Sequence, residues 1–342
     1  MTMKNNPADL NLPKVMFGTS GLGNLYVAMD DDAKCEIVEQ VVANSQKPVV
    51  FDSAGKYGAG LALESLGKCL KRLGVKQEDV LISNKLGWVR TELKTPEPTF
   101  ETGIWRDLKF DAVQKISYEG ILECYHQGNE LLNGYKAGLV SVHDPDEYLA
   151  AAISEGDKQQ RYRDVLDAYR ALGELKEQGE VMAIGVGSKD WRMIQQIAQD
   201  VDLDWAMIAN SMTVHSHPDD LVAFMEELER KGVAIINSAV FNAGFLIGGD
   251  YYNYHLMDRE THAELFKWRD DFFALCNKYN IKPAEACVAF GLHAPGVKSI
   301  ALSTTNAARV KGNIAMADVE MPAGFWDEMK AKGLINKHYA YV

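Results

Sequence analysis

Cysteine is sparse in this sequence and poorly spaced for chemistry. The chain carries Cys35, Cys69, Cys124, Cys276 and Cys287, an odd number without a C-x-x-C pair. Such spacing suggests neither a disulfide framework nor a zinc site, and predicts free, mostly buried thiols in a reducing compartment, the cytoplasm. Long apolar runs are missing as well: nowhere do roughly eighteen apolar residues follow one another, as a membrane-spanning helix needs. The opening segment, MTMKNNPADLNLPK, has positive charge but no apolar stretch behind it, and does not read as a secretory signal. Positive charge is in deficit, with 36 Lys and Arg against 48 Asp and Glu. That balance, with no local basic patch, argues against nucleic acid or an anionic membrane as partner. Internal repeats, low-complexity segments and linkers are also absent.

What is present is enough apolar material, 47% of 342 residues, for one large core. Short β-branched or apolar runs at 15–19, 49–52, 80–83, 138–142, 181–186, 205–209, 233–237 and 298–302 read as strands. Between them apolar residues recur at helical spacing, as with Leu63, Leu66, Leu70 and Leu73, or Ile37, Val38, Val41 and Val42. Eight alternations of strand and helix predict a single (β/α)8 TIM barrel across residues 1–342, with chemistry at the C-terminal ends of the strands. Gly18, Gly21 and Gly23 follow the first strand, but in the order G-x-x-G-x-G. The helix behind them opens only near Asp30 to Asp32, with Asp32 the expected cap, too late to seat a pyrophosphate in the dinucleotide-binding manner.

The strand ends carry the chemistry. Asp52 closes the second strand, Tyr57 follows in a glycine-rich loop, Lys85 closes the third strand and His143 the fourth. In parallel neighbours these four converge on one face. A Lys cation stabilises a phenolate and an Asp keeps that Lys charged, which together let a Tyr move a proton. His215 and His217 form an H-x-H with no third ligand in evidence, and no metal site is expected. Three segments exceed an ordinary loop. Residues 87–118, holding Trp88 and Trp105, are expected to roof the pocket and offer flat apolar faces to a substrate. Residues 146–161 read as a surface excursion, and 248–261, rich in Tyr, as a lid or an oligomer contact.

The contexts FDSAGKYG, ISNKLG and VHDPD resemble the aldo-keto reductase family, over residues 13–317. The resemblance implies the barrel fold, catalytic roles for Asp52, Tyr57, Lys85 and His143, and NAD(P) as cofactor. It implies cofactor contacts for Ser188, in a Gly187-Ser188 pair where Ser-Asn is common, and for Asn210, where Gln is usual. Ser238 follows Asn237 where a stacking Tyr is expected. Ser303, Thr304, Thr305, Arg309 and Asn313 resemble the loop and helix start that hold pyrophosphate, ribose and adenine. Thr305 stands where NADP-dependent members place a cation for the 2′-phosphate, so NAD is expected to be preferred, with NADP as second choice. The pattern is more similar to the branch oxidising aldoses such as L-fucose at C1 than to steroid reductases. Reduction of small aldehydes, oxidation of pyridoxal, and a cofactor-binding regulatory subunit with little turnover are the alternatives. The expected partner is a small sugar or aldehyde; the oligomeric state is not legible.

Overall fold

A computed structural model describes residues 10–342. Its centre is a closed barrel of parallel strands: β1 (Val15–Gly18), β2 (Val49–Ala54), β3 (Val80–Leu86), β4 (Leu139–His143), β5 (Ala183–Ser188), β6 (Trp205–Ala209), β7 (Ala234–Ser238) and β8 (Val297–Leu302). They pair in chain order, and β8 closes on β1. The expected TIM barrel is therefore the fold, and each of the eight expected strands overlaps one of these.

Strand parity decides what reaches the top. Val50, Leu81, Leu139, Ala183 and Trp205 fill the barrel interior with Met16 and Ile236, and Leu10 and Leu12 pack beneath them. Side chains alternate along a strand, so two residues on from Val50 stands Asp52, two and four on from Leu81 stand Ser83 and Lys85, and four on from Leu139 stands His143. Apolar alternates such as Phe51, Ile82, Val140 and Val142 join the large core beneath the helices. The same alternation places Gly185 and Gly187 inside. A Cβ on Gly185 would lie 2.2 Å from the Trp205 ring, and one on Gly187 would lie 3.2 Å from the Lys85 side chain. Their lack of bulk makes room for those two residues.

Local structure departs from the sequence reading in several places. Residues 87–118 are not simply a loop: Trp88–Glu92 and Phe110–Gln114 pair as an antiparallel hairpin. Residues 146–161 are largely helical, within Pro145–Ala150 and the start of Glu155–Glu177. Helix α1 (Asp31–Asn44) is capped by Asp30, which accepts from the Ala33 N–H at 2.7 Å, and not by Asp32. The largest correction concerns the thiols. Helix α1 packs on α2 (Leu61–Arg72), and their Cys35 and Cys69 form a disulfide across a separation of 34 residues. Spacing along the chain cannot reveal a pair that only helix packing brings together. Cys124, Cys276 and Cys287 are free and buried, as expected. No helix among the described residues is long and apolar enough to cross a membrane.

Candidate active site

Asp52 and Lys85 rise from β2 and β3 into the barrel mouth, where each is almost wholly buried. They form an ion pair, and the Ser83 hydroxyl donates to the other Asp52 oxygen at 3.1 Å. Burial, the largest single influence, would lower the Lys85 pKa, but the charges of Asp52 and Tyr57 and the hydrogen bonds to both together outweigh it and raise the value, so the ammonium stays charged. Tyr57 lies above, its ring centre 4.8 Å from the Lys85 nitrogen. His143 meets that ring edge-on, with centroids 5.7 Å apart and planes at 84°. The four residues that the sequence singled out thus stand together.

The loop carrying Tyr57 is fixed by two glycines. Gly58 has φ of +63°, and a Cβ on it would fall 2.3 Å from the Gly23 carbonyl oxygen. A Cβ on Gly23 would in turn fall 2.8 Å from the Tyr57 carbonyl. The glycine run after β1 serves to let one backbone rest on the other.

Two protonation states follow from this enclosure. Burial pushes the Tyr57 phenol up to about 12, against the lowering pull of Lys85. The sequence reading expected Lys85 to bring the value down; its pull is present, but loss of water exceeds it. His143 is driven well below its usual range, first by burial and then by Lys85, Lys56 and Lys189, so the imidazole is neutral at physiological pH.

Tyr57, Lys85 and His143 face a cavity of about 480 Å³. Ser188, Ser238 and Ser303 line it too. Asn210 is buried and not itself part of the lining, though it follows Ala209, which is, and its Oδ1 has no hydrogen-bond partner. Such an orphaned acceptor suits the N–H of a carboxamide, and the donor set fits a nicotinamide. Thr304, Thr305, Arg309 and Asn313 lie outside the cavity lining, on the loop after β8, the turn Ala307–Arg309 and the helix Val310–Ala315. Thr305 and Arg309 are exposed, and Arg309 has no ion-pair partner among the described residues. Asn237 points away, donating to the Met212 carbonyl at 2.9 Å.

The two tryptophans part company. Trp105 lines the cavity, 5.8 Å from the Tyr57 ring, with its indole N–H donating to Glu101 at 2.6 Å. Trp88 is not among the residues that line it. Its ring packs 5.7 Å from Phe100 in the roof's own small core, with Lys56 over its face. His215 and His217 bond to Tyr252 and to the backbone of Thr213 and Asn336. No metal-holding cluster of His, Cys, Asp or Glu occurs among the described residues.

Sequence reasoning missed a charged wall. Lys56 binds Glu101 at 2.7 Å and Glu147 at 2.9 Å, Lys189 binds Glu147, and Asp144 stands between the two lysines. Lys56, Asp144 and Lys189 each sit within a few residues of a strand end, a position that could have flagged them. Glu101 and Glu147 come from the roof and a helix, and nothing local marks them. Tyr26, Tyr254 and Phe241 also line the cavity. Phe241 supplies an aromatic face three residues past Ser238.

Comparison with known proteins gives the chain a family. The Aldo/keto reductase family model matches residues 14–333. A pyridoxal 4-dehydrogenase of Microbacterium luteolum is 24% identical over 342 residues, covering 96% of each chain. A D-threo-aldose 1-dehydrogenase of a Pseudomonas species is 25% identical over 341 residues, again covering 96% of each. Among solved structures, an aldo-keto reductase of Bacillus halodurans in its holo form matches with a TM-score of 0.67 at 16% identity, over 94% of this chain and 92% of that one. The glycerol dehydrogenase of Gluconobacter oxydans matches with a TM-score of 0.67 at 15% identity, over 97% and 94%. With the barrel, the converging strand ends and a family match over nearly the whole chain, this protein belongs to the aldo/keto reductase family of oxidoreductases.

Proposed function

We propose that this chain oxidises an aldose, such as L-fucose, at C1 with a nicotinamide as hydride acceptor, NAD preferred over NADP. One observation carries the reading. The buried Asp52–Lys85 pair lies beneath Tyr57 with His143 against the same ring, and Tyr57, Lys85 and His143 line one cavity.

Hydride transfer is the chemistry the nicotinamide supplies when bound. Everything else falls to side chains of this chain. Asp52 holds the Lys85 ammonium charged, and Lys85 stabilises the Tyr57 phenolate. Tyr57 takes the proton of the sugar hydroxyl in oxidation and returns it in reduction. With its phenol at about 12, the base form gains ground as pH rises, so oxidation runs better in alkali. Neutral His143 donates a hydrogen bond to the substrate oxygen and sets its approach.

Ser188, Asn210 and Ser238 would hold the carboxamide end, with Phe241 as the aromatic wall. Ser303, Thr304, Thr305, Arg309 and Asn313 would hold the phosphates, ribose and adenine. The roof, 87–118, closes the substrate end of a single barrel domain, where Trp105 offers an apolar face to a sugar ring. The 24%-identical relative named for pyridoxal supports a second reading, oxidation of that flat heteroaromatic aldehyde on the same face.

Following reduced-nicotinamide absorbance with aldoses, small aldehydes and pyridoxal, each with NAD and NADP, tests the proposal. Faster turnover of an aldose is the expected result. Turnover of pyridoxal alone favours the second reading, and binding of nucleotide without turnover of any carbonyl favours a regulatory subunit.

A further inference from the structure

Asp144 follows His143 at the end of β4, with φ of +46° and Pro145 after it. A non-glycine residue in the left-handed region, directly before a proline, is a strained arrangement, and strain of this kind collects at functional sites. The residue is only 7% exposed and lines the cavity. Yet its carboxylate accepts no well-formed hydrogen bond among the described residues. The nearest donors are His143 Nε2 at 3.5 Å and the Lys56 and Lys189 ammoniums, each at 3.7 Å. Both lysines are engaged more closely by Glu147, and Lys56 by Glu101 as well. A buried carboxylate that is flanked by cations yet left without a donor is poised to accept from something in the cavity.

The geometry says what that would be. His143 Nε2 and Asp144 Oδ2 stand 3.5 Å apart, a donor beside an acceptor. If His143 binds the reacting oxygen, the next acceptor along the wall meets a hydroxyl on the neighbouring carbon. From this spacing we infer that Asp144 is a specificity residue that reads a hydroxyl on the carbon adjacent to the reacting one, so the preferred substrates are α-hydroxy carbonyls and their hemiacetals, aldoses with a free 2-hydroxyl among them. This rests on the proposed reading in one respect, the contact of His143 with the reacting oxygen. Burial pushes the Asp144 carboxyl up to about 6, while Lys189 and Lys56 pull it down, so at neutral pH it remains mostly ionised and able to accept.

Two substrate pairs differing only in that hydroxyl test the inference: an aldose against its 2-deoxy analogue in oxidation, and lactaldehyde against propanal in reduction. Each is assayed with the wild type, Asp144→Asn and Asp144→Gly, both substituents being at ease with positive φ. Melting temperature and nucleotide Kd verify that each variant is folded. The wild type is expected to favour the hydroxylated member of each pair about tenfold or more in kcat/KM, Asp144→Gly to bring that ratio close to one, and Asp144→Asn, whose amide oxygen is an uncharged and weaker acceptor, to leave an intermediate ratio. A wild-type ratio near one, or equal losses on both members of a pair, overturns the role of Asp144. If lactaldehyde leads propanal in an Asp144-dependent manner but no aldose is oxidised, the role stands and the sugar reading fails. If an aldose is oxidised no better than its 2-deoxy analogue, the role fails and the sugar reading stands. Absence of turnover on both pairs overturns both.

Discussion

The Lys85 ammonium lies 4.8 Å from the centre of the Tyr57 ring, tethered from below by the Asp52 carboxylate. The phenol therefore sits between two opposed influences: burial, which raises its pKa to about 12, and Lys85, which lowers it. Removing the hydroxyl by Tyr57→Phe deletes the proposed proton carrier without touching a proposed nucleotide contact. Turnover is expected to fall on the order of a hundredfold or more, with nucleotide Kd preserved. Wild-type rates in this variant would refute the assignment.

Lys85→Met separates the two influences. Without the cation only the raising ones remain, so the phenol moves still higher and the phenolate needed for oxidation forms at higher pH. The rising limb of the oxidation rate should shift toward alkali; an unchanged pH profile would remove Lys85 from the relay. Because Asp52 is then buried without its partner, the variant is also expected to lose about 3–5 kcal/mol of stability, read by denaturant melts.

Much of this site was legible because strand parity is simple. Once Val50, Leu81 and Leu139 are inside, Asp52, Lys85 and His143 must be inside as well, and the alternation of β and α elements brings those strand ends together. The hairpin over 87–118 was not legible, since Trp88–Glu92 is mostly polar and its partner lies almost twenty residues away. The Cys35–Cys69 bond and the contacts of Glu101 and Glu147 with Lys56 depend on packing between elements distant in the chain, for which sequence spacing holds no signal. The shift of Tyr57 was misjudged for a related reason: the charges can be counted in a sequence, but the water excluded by the roof cannot.

The two tryptophans of the roof should behave differently. Trp105 faces the cavity beside Tyr57, whereas Trp88 packs on Phe100. Trp105→Ala is expected to raise KM for the best substrate about tenfold or more with little change in nucleotide Kd. Trp88→Ala should instead act on the roof's small core, lowering the melting temperature and raising KM less. The reverse order of KM effects would return Trp88 to the pocket.

Thiol titration addresses the disulfide directly. In denaturant without reductant, three thiols should react, those of Cys124, Cys276 and Cys287, and five after reduction. Closing a loop between positions 34 residues apart constrains the unfolded chain, so reduction should cost roughly 3–4 kcal/mol, seen as a lower melting temperature. Five reactive thiols before reduction would mean that the pair stays open in solution.

Cofactor choice turns on the exposed loop after β8. On the proposed reading, Thr305 stands where a cation would meet a 2′-phosphate; its hydroxyl can bond a ribose oxygen but brings no charge. The net charge of −12 gives no help from a distance. Arg309 is the competing influence, since it is exposed, stands four residues on, and has no ion-pair partner among the described residues. A Thr that satisfies the 2′-hydroxyl without opposing it favours NAD, whereas NADP would depend on Arg309 alone. Measured dissociation constants are therefore expected to be lower for NAD in the wild type. Thr305→Arg should tighten NADP by about tenfold, and Arg309→Ala should weaken both nucleotides, NADP more than NAD. Tighter NADP binding by the unmodified chain would overturn the preference, and if Arg309→Ala abolished that binding, the phosphate site would belong to Arg309.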